Sequence, residues 1–220
     1  METMSSPTRR SPLALALLAL LIESPMHPYR MQRLIKQRGK ADVINVGQRA
    51  SLYKTIDRLR RDGLVRVRET ERDAQRPERT VYEVTDAGRV TARAWMRDIL
   101  STPRSEFPEF PVGIAYLPLL DPDDVVQQLT TRTWLLSERL SRLEGQLREY
   151  ADVLPRLFVL EVEYLTEMTR TELRWVTSLI DDVRSDRVHW DDQWIASVLK
   201  EQGQAGPTAV ADYPGAYQTP

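Results

Sequence analysis

Between residues 48 and 65 the hydrophobic period of the chain changes, and that change restricts the available folds more than any other feature. Leu52, Ile56 and Leu59 stand at i, i+4 and i+7, which places them on one stripe of a helix expected over 48–62. Gly63 supplies a left-handed stop. From Leu64 the pattern alternates, with Leu64, Val65 and Val67 set among Arg66, Arg68 and Glu69. Residues 80–85 alternate in the same way around Val81, Tyr82 and Val84, so the two runs read as paired strands. The stretch between them, 70–79, is polar, charged and broken by Pro77, as a hairpin tip is.

Two further helical patterns precede this helix-then-hairpin. Residues 12–23 are apolar nearly all round, behind Ser11 as N-cap and Pro12 at the first helical position. Residues 29–38 carry Met31, Leu34 and Ile35 on one ridge, face Arg30, Arg33, Lys36 and Arg38 outward, and end at Gly39. After the hairpin, Thr85 caps a helix expected over 86–100 with Val90, Ala94 and Trp95 turned inward. Three helices, a two-stranded wing and a closing helix describe a winged helix-turn-helix. The fold class expected is therefore mainly α, with this unit first and long helices after it.

A Pro-rich junction at 101–111 sets the expected boundary, giving an N-terminal domain over 1–104 and a helical domain over 105–200. A short helical piece is expected at 113–119. Over 122–153, Val126, Leu129, Thr133, Leu136, Leu140, Leu143, Leu147 and Tyr150 alternate steps of three and four, a heptad seam. Over 155–187 there are two apolar ridges. One is Leu157, Leu160, Tyr164, Met168, Trp175 and Leu179; the other is Phe158, Val162, Leu165, Val176, Ile180 and Val183. A two-helix hairpin cannot bury all of this, so a second copy of the chain is expected to cover the remainder. Leu129, Leu136, Leu140, Leu143, Leu147, Leu165, Trp175 and Leu179 are the expected dimer residues. The tail over 201–220, rich in Gly, Pro, Ala and Tyr, reads as disordered.

Charge separates the two halves. Through Arg104 there are 21 Lys and Arg against 12 Asp and Glu; beyond it there are 10 against 20. A basic half beside an acidic half suits a protein of which one part meets a polyanion. The chain has no cysteine, which excludes disulfides, thiol nucleophiles and cysteine metal sites. The apolar run 13–22 is too short to span a bilayer. It follows Arg9 and Arg10 as a signal peptide would, yet no small-residue cleavage site follows, so the chain is read as cytoplasmic with no membrane partner.

The outer face of the central helix carries Ala50, Lys54, Asp57, Arg58 and Arg61, with Ser51 and Tyr53 at its flanks. A short helix with such a face fits the major groove of double-stranded DNA. Arg49, Ser51 and Lys54 are expected on base edges or phosphates, Tyr53 on a phosphate, and Gln48 nearest the apolar side. Arg58 and Arg61 read equally as phosphate partners or as solvated charges. On the wing, Arg72, Gln75, Arg76 and Arg79 suit phosphates better than bases. The rival reading is a winged helix that contacts protein, a scaffold whose binding ignores salt. Trp134, Tyr164, Trp175, Trp190 and Trp194 suit a helical core better than a ligand pocket. His189 beside Asp191 and Asp192 reads as a solvated cluster rather than a metal site. No catalytic constellation, phosphate-binding loop or cofactor motif is present in the sequence, so neither an enzyme nor a cofactor is expected.

Three stretches together resemble the PadR family of transcriptional regulators. They are the apolar opening followed by Pro28, Tyr29, Arg30 and Met31; Ser51, Leu52, Tyr53 and Lys54 leading to Leu59, Arg60, Arg61, Asp62, Gly63 and Leu64; and Tyr82, Val84, Thr85, Gly88 and Arg89. Pro28 stands where the family more often has Gly, and Lys54 where many members carry Pro. The long helices are similar to those of the larger PadR subgroup. The resemblance implies a homodimer reading an inverted-repeat operator, most often as a repressor. It also implies a small aromatic effector near the dimer interface.

Overall fold

A computed structural model describes residues 10–47, 49–73, 76–104 and 107–204. The chain divides into two units, 1–105 and 106–220.

In the first unit, α1 (Pro12–Glu23) starts where Ser11 Oγ accepts from the Ala14 amide at 3.2 Å. Its Ala14, Leu17, Leu18, Leu20 and Leu21 are buried and form the centre of the core. α2 (Pro28–Gln37) is capped by His27, whose Nδ1 accepts from the Arg30 amide at 3.1 Å. Met31 and Ile35 point inward from it. α3 (Arg49–Arg61) buries Leu52, Ile56 and Leu59 against the same core. Gly63, at φ +71°, reverses the chain after it, and the Leu64 amide reaches back to the Leu59 carbonyl at 2.9 Å.

The strands β1 (Val65–Asp73) and β2 (Arg76–Val84) pair antiparallel, with register shifts between Val67 and Glu69 and between Glu71 and Asp73. They run further than the alternating pattern suggested. Residues 66–70 of β1 are exposed whichever face they lie on, so no apolar member need mark every second residue there. Among the described side chains of the strands, Val65, Val81, Tyr82 and Val84 are the buried ones, all at the root. Met26 adds a bridge to Tyr82, with both amide–carbonyl distances 3.1 Å, and so ties the α1–α2 turn to the wing.

α4 (Asp86–Ser101) closes the unit. The Thr85 hydroxyl donates to the Gly63 carbonyl at 2.7 Å and accepts from the Gly88 amide at 3.1 Å. The helix packs through Gly88, Ala92 and the half-buried Trp95. Val90 and Ala94, expected inward, face out, and Val90 is 66 % exposed. The cause is steric: Gly88 approaches Leu64 so closely that only the face running from it through Ala92 can lie against the core.

The second unit contains α5 (Glu109–Ala115), α6 (Pro122–Tyr150), α7 (Leu160–Arg184) and α8 (Asp192–Gln204). α6 and α7 pack together around Val125, Leu129, Leu136, Val176, Ile180 and Val183. Arg132–Glu172 and Arg170–Glu144 ion pairs bridge the two helices. Thr166 and Thr169 are buried within this packing, and each hydroxyl donates to a carbonyl of its own helix at 2.7 Å. α8 has no counterpart in the sequence reading. Buried Trp190, whose Nε1–H donates to the Leu120 carbonyl at 2.9 Å, fixes the turn before it. Asp191 Oδ1 then accepts from the Trp194 amide at 2.7 Å and caps it. The expected disordered tail lies, beyond Gln204, outside the described residues.

A Cβ on Gly88 would stand 2.2 Å from the Leu64 carbonyl oxygen and 2.7 Å from a Val84 methyl. Because the first obstacle is backbone, Gly88→Ala is expected to destabilise the N-terminal unit by about 2 kcal/mol or more. Thermal unfolding checks this; an unchanged melting temperature would contradict the packing described.

Candidate nucleic-acid interface

The face of α3 turned away from Leu52, Ile56 and Leu59 is set by that burial. It exposes Ala50, Tyr53, Lys54, Asp57, Arg60 and Arg61, with Ser51 half-buried beside them. Tyr53 is 51 % exposed, so its ring projects instead of sealing the core edge. Arg60 lies 3.9 Å from Asp57 on the same helix, an exposed pair that leaves the guanidinium accessible. Sequence reasoning passed over Arg60 because it follows the buried Leu59, although the same angular count would have found it.

The entry to α3 is fixed from α2. Gln32 is buried and its Nε2 donates to the Val46 carbonyl at 2.9 Å, while Val46 is itself buried. The Asn45 side chain accepts from the Gly47 amide at 3.2 Å, a tight turn just ahead of the helix. On α2, Arg30, Arg33 and Lys36 are exposed and add to the positive surface of the unit. Arg38 is committed elsewhere, to a two-pronged contact with Glu23 at 2.7 Å on each prong. The hydrogen bond from Arg38 holds the Glu23 carboxyl below its ordinary range.

Arg58 does not join the outer face. Its side chain lies half-buried and one Nη donates to Ser11 Oγ at 3.3 Å. Gln48 and Gln75 lie outside the described residues, and so do the side chains of Arg49, Arg72, Arg76 and Arg79. The backbone at Arg72, Arg76 and Arg79 is part of the paired strands. At the wing root, burial and then the negative charge of Asp57 raise the Tyr82 phenol above its usual range, so it stays neutral near neutral pH.

The expected dimer residues divide. Leu129, Leu136 and Leu143 are buried inside their own subunit, so the heptad seam of α6 is filled by α7. Leu140, Leu147, Leu165 and Leu179 are half-buried, and Trp175 is 46 % exposed. Leu160, Tyr164 and Met168 are exposed with Trp175 along one stripe of α7, opposite its buried face. Of the aromatic residues weighed as a pocket, Trp190 is core while Trp134, Tyr164, Trp175 and Trp194 are exposed. His189 sits between Asp186, at 2.8 Å, and Asp191, at 3.4 Å. Among the described residues no cluster of three metal-ligating side chains occurs, and no helix is long and apolar enough to cross a membrane.

A core-anchored helix with a cationic outer face, followed directly by a paired wing, defines the class of winged helix-turn-helix DNA-binding proteins. Residues 17–94 match the transcriptional regulator PadR-like family. Over that segment, which lies within the N-terminal unit, the chain is similar to PadR-like transcriptional regulators.

Solved structures share the fold. Bacillus subtilis PadR in complex with operator DNA superposes with a TM-score of 0.64 at 16% identity, over 80% of this chain and 99% of that one. The same protein in complex with p-coumaric acid gives 0.63 at 16% identity, over 79% and 99%. The Vibrio cholerae virulence activator AphA gives 0.58 at 14% identity, over 79% and 98%. No curated protein sequence matches the chain.

Replacing Gln32 by Ala removes the donor and leaves the Val46 carbonyl without it in a buried position. The expected cost is about 1–3 kcal/mol in denaturant unfolding. A loss below a few tenths would show that the turn ahead of α3 does not depend on α2.

Proposed function

We propose that the protein is a homodimeric, sequence-specific regulator that inserts α3 of each copy into successive major grooves of an inverted-repeat operator. The observation that carries this reading is the exposed Tyr53, Lys54, Arg60 and Arg61 surface on a helix whose other face is locked in the core. Lys54, Ser51 and Arg49, near the start of the helix, are assigned to base edges and nearby phosphates. Tyr53 and Arg61 are assigned to the backbone. Gln48 and the wing residues Arg72, Gln75, Arg76 and Arg79 keep the roles the sequence gives them, Gln48 at the edge of the reading surface and the others on phosphates. Arg58 is left out of the contact set.

Dimerisation is assigned to the exposed stripe Leu160, Tyr164, Met168 and Trp175 of α7, with the half-buried Leu140, Leu147, Leu165 and Leu179 at its margins. A helix apolar on both sides, one side already filled by α6, needs a second surface. Repression is the direction we favour, because a dimer seated on an operator excludes other proteins from it; AphA, an activator, shares the fold. Action on chromosomal DNA places the protein in the cytoplasm.

An aromatic effector is supported by the p-coumaric acid complex of Bacillus subtilis PadR. One cavity of about 440 Å³ beside α6 and α7 suits such a molecule poorly. It is lined by Glu144, Leu147, Arg148, Glu163, Thr166, Glu167 and Arg170, and no aromatic ring faces it.

The test uses duplexes enriched by the intact protein from a random-sequence pool. Lys54→Ala is expected to weaken binding about tenfold or more and to reduce the salt slope by about 0.9 per copy. Enrichment of no duplex, or binding indifferent to salt and to Lys54, would overturn the reading. For the dimer, Met168→Glu together with Tyr164→Glu is expected to give folded monomers in sedimentation; an unchanged dimer would place the interface elsewhere.

A further inference from the structure

Arg58 presents an arrangement that stability alone does not explain. It stands on α3 between the exposed Asp57 and the buried Leu59. Its Nε is buried with no hydrogen-bond partner, and one Nη donates to Ser11 Oγ at 3.3 Å. That hydroxyl also accepts from the Ala14 amide, so the guanidinium lies at the positive N-terminal end of α1. A cation there is desolvated at one nitrogen and disfavoured by the helix dipole. Nε cannot serve a phosphate while buried.

The neighbouring residue completes the arrangement. Arg10 pairs with Asp98 of α4, and Asp98 also accepts from Arg104 at 3.1 Å. Consecutive residues, Arg10 and Ser11, therefore tie the start of α1 to α4 on one side and to α3 on the other. We propose that Arg58 is a positioning residue for DNA recognition. It sets the rotation of α3 about its axis by gripping the Ser11 cap, and the Arg10–Asp98 pair references that setting to α4.

This role rests on the DNA-binding reading, and it differs from a phosphate contact in what it leaves behind. A lost phosphate contact weakens all sequences alike and lowers the salt slope by about 0.9 per copy. A lost rotational setting moves Lys54 and its neighbours off the base edges but leaves their charges beside the same phosphates, so the count of neutralised phosphates stays the same. The helix then discriminates less at an unchanged slope.

The experiment measures binding of the enriched duplex and of a scrambled duplex across salt for the intact protein, Arg58→Ala, Ser11→Ala, Ser11→Thr and the Arg58→Ala, Ser11→Ala double variant. The expected result is a fall of about tenfold in the specific-to-scrambled ratio for each Ala variant, at the intact slope. The double variant should show no further fall, and Thr, which keeps the hydroxyl, should restore the ratio. An unchanged ratio, additive losses, or a slope reduced by about 0.9 per copy on Arg58→Ala would overturn the proposal. Should Arg58→Ala not fold, the Ser11→Ala and Ser11→Thr pair decides by the same ratio and slope. An intact protein that enriches no duplex defeats the DNA reading and this role together. An enriching protein whose Ser11→Ala and Arg58→Ala ratios are unchanged defeats the positioning role alone.

Discussion

Burial of Leu52, Ile56 and Leu59 against α1 is the constraint on which the N-terminal unit depends. Each of these side chains contributes about 1.5–3 kcal/mol when fully removed from water. A helix held by three of them along one stripe cannot roll without exposing at least one. The general direction of Tyr53 and Lys54 is thus a consequence of hydrophobic packing, and the Arg58–Ser11 contact sets the finer rotation within it. Gln32 and the turn before α3 fix the helix along its axis, which packing alone does less well.

The wing depends on the same helix through its C-terminal end. Gly63 turns the chain, Leu64 enters the core, and the Thr85 hydroxyl ties the beginning of β1 to the beginning of α4. Gly88 permits that closure because the backbone of Leu64 occupies the place of a side chain. The reading helix, wing root and closing helix therefore share one small set of contacts. Disturbing any of them is felt by all three, and this makes positioning residues in the unit hard to tell from contact residues by affinity alone.

Much of this was legible in the sequence. Leu52, Ile56 and Leu59 marked the inward face of α3, and Ser11 and Thr85 marked helix starts that the hydrogen bonds place within a residue or so. Three things were not legible, each for a physical reason. The strands outrun their alternating pattern because β1, exposed over residues 66–70 whichever face they lie on, needs no apolar period there. Val90 faces water because Gly88, which looks like a helix weakener, is the point of closest approach. Arg58 turns toward Ser11, 47 residues earlier in the chain, and no local pattern reports a contact at that separation. In the second unit the seam of α6 was visible but its partner was not. Heptad spacing says that a helix will be covered, and not whether the cover comes from the same chain.

The central claim is that the outward face of α3 lies in a DNA groove, and the absence of cysteine allows it to be tested by proximity. Ala50 is exposed on that face, so Ala50→Cys would carry the only thiol of the chain and a tethered iron chelate that cleaves nearby deoxyribose. On the enriched duplex the account predicts two clusters of cleavage, their centres about one helical turn or a small multiple of it apart. Cleavage no stronger than that from untethered chelate, on DNA the protein still occupies, would contradict it.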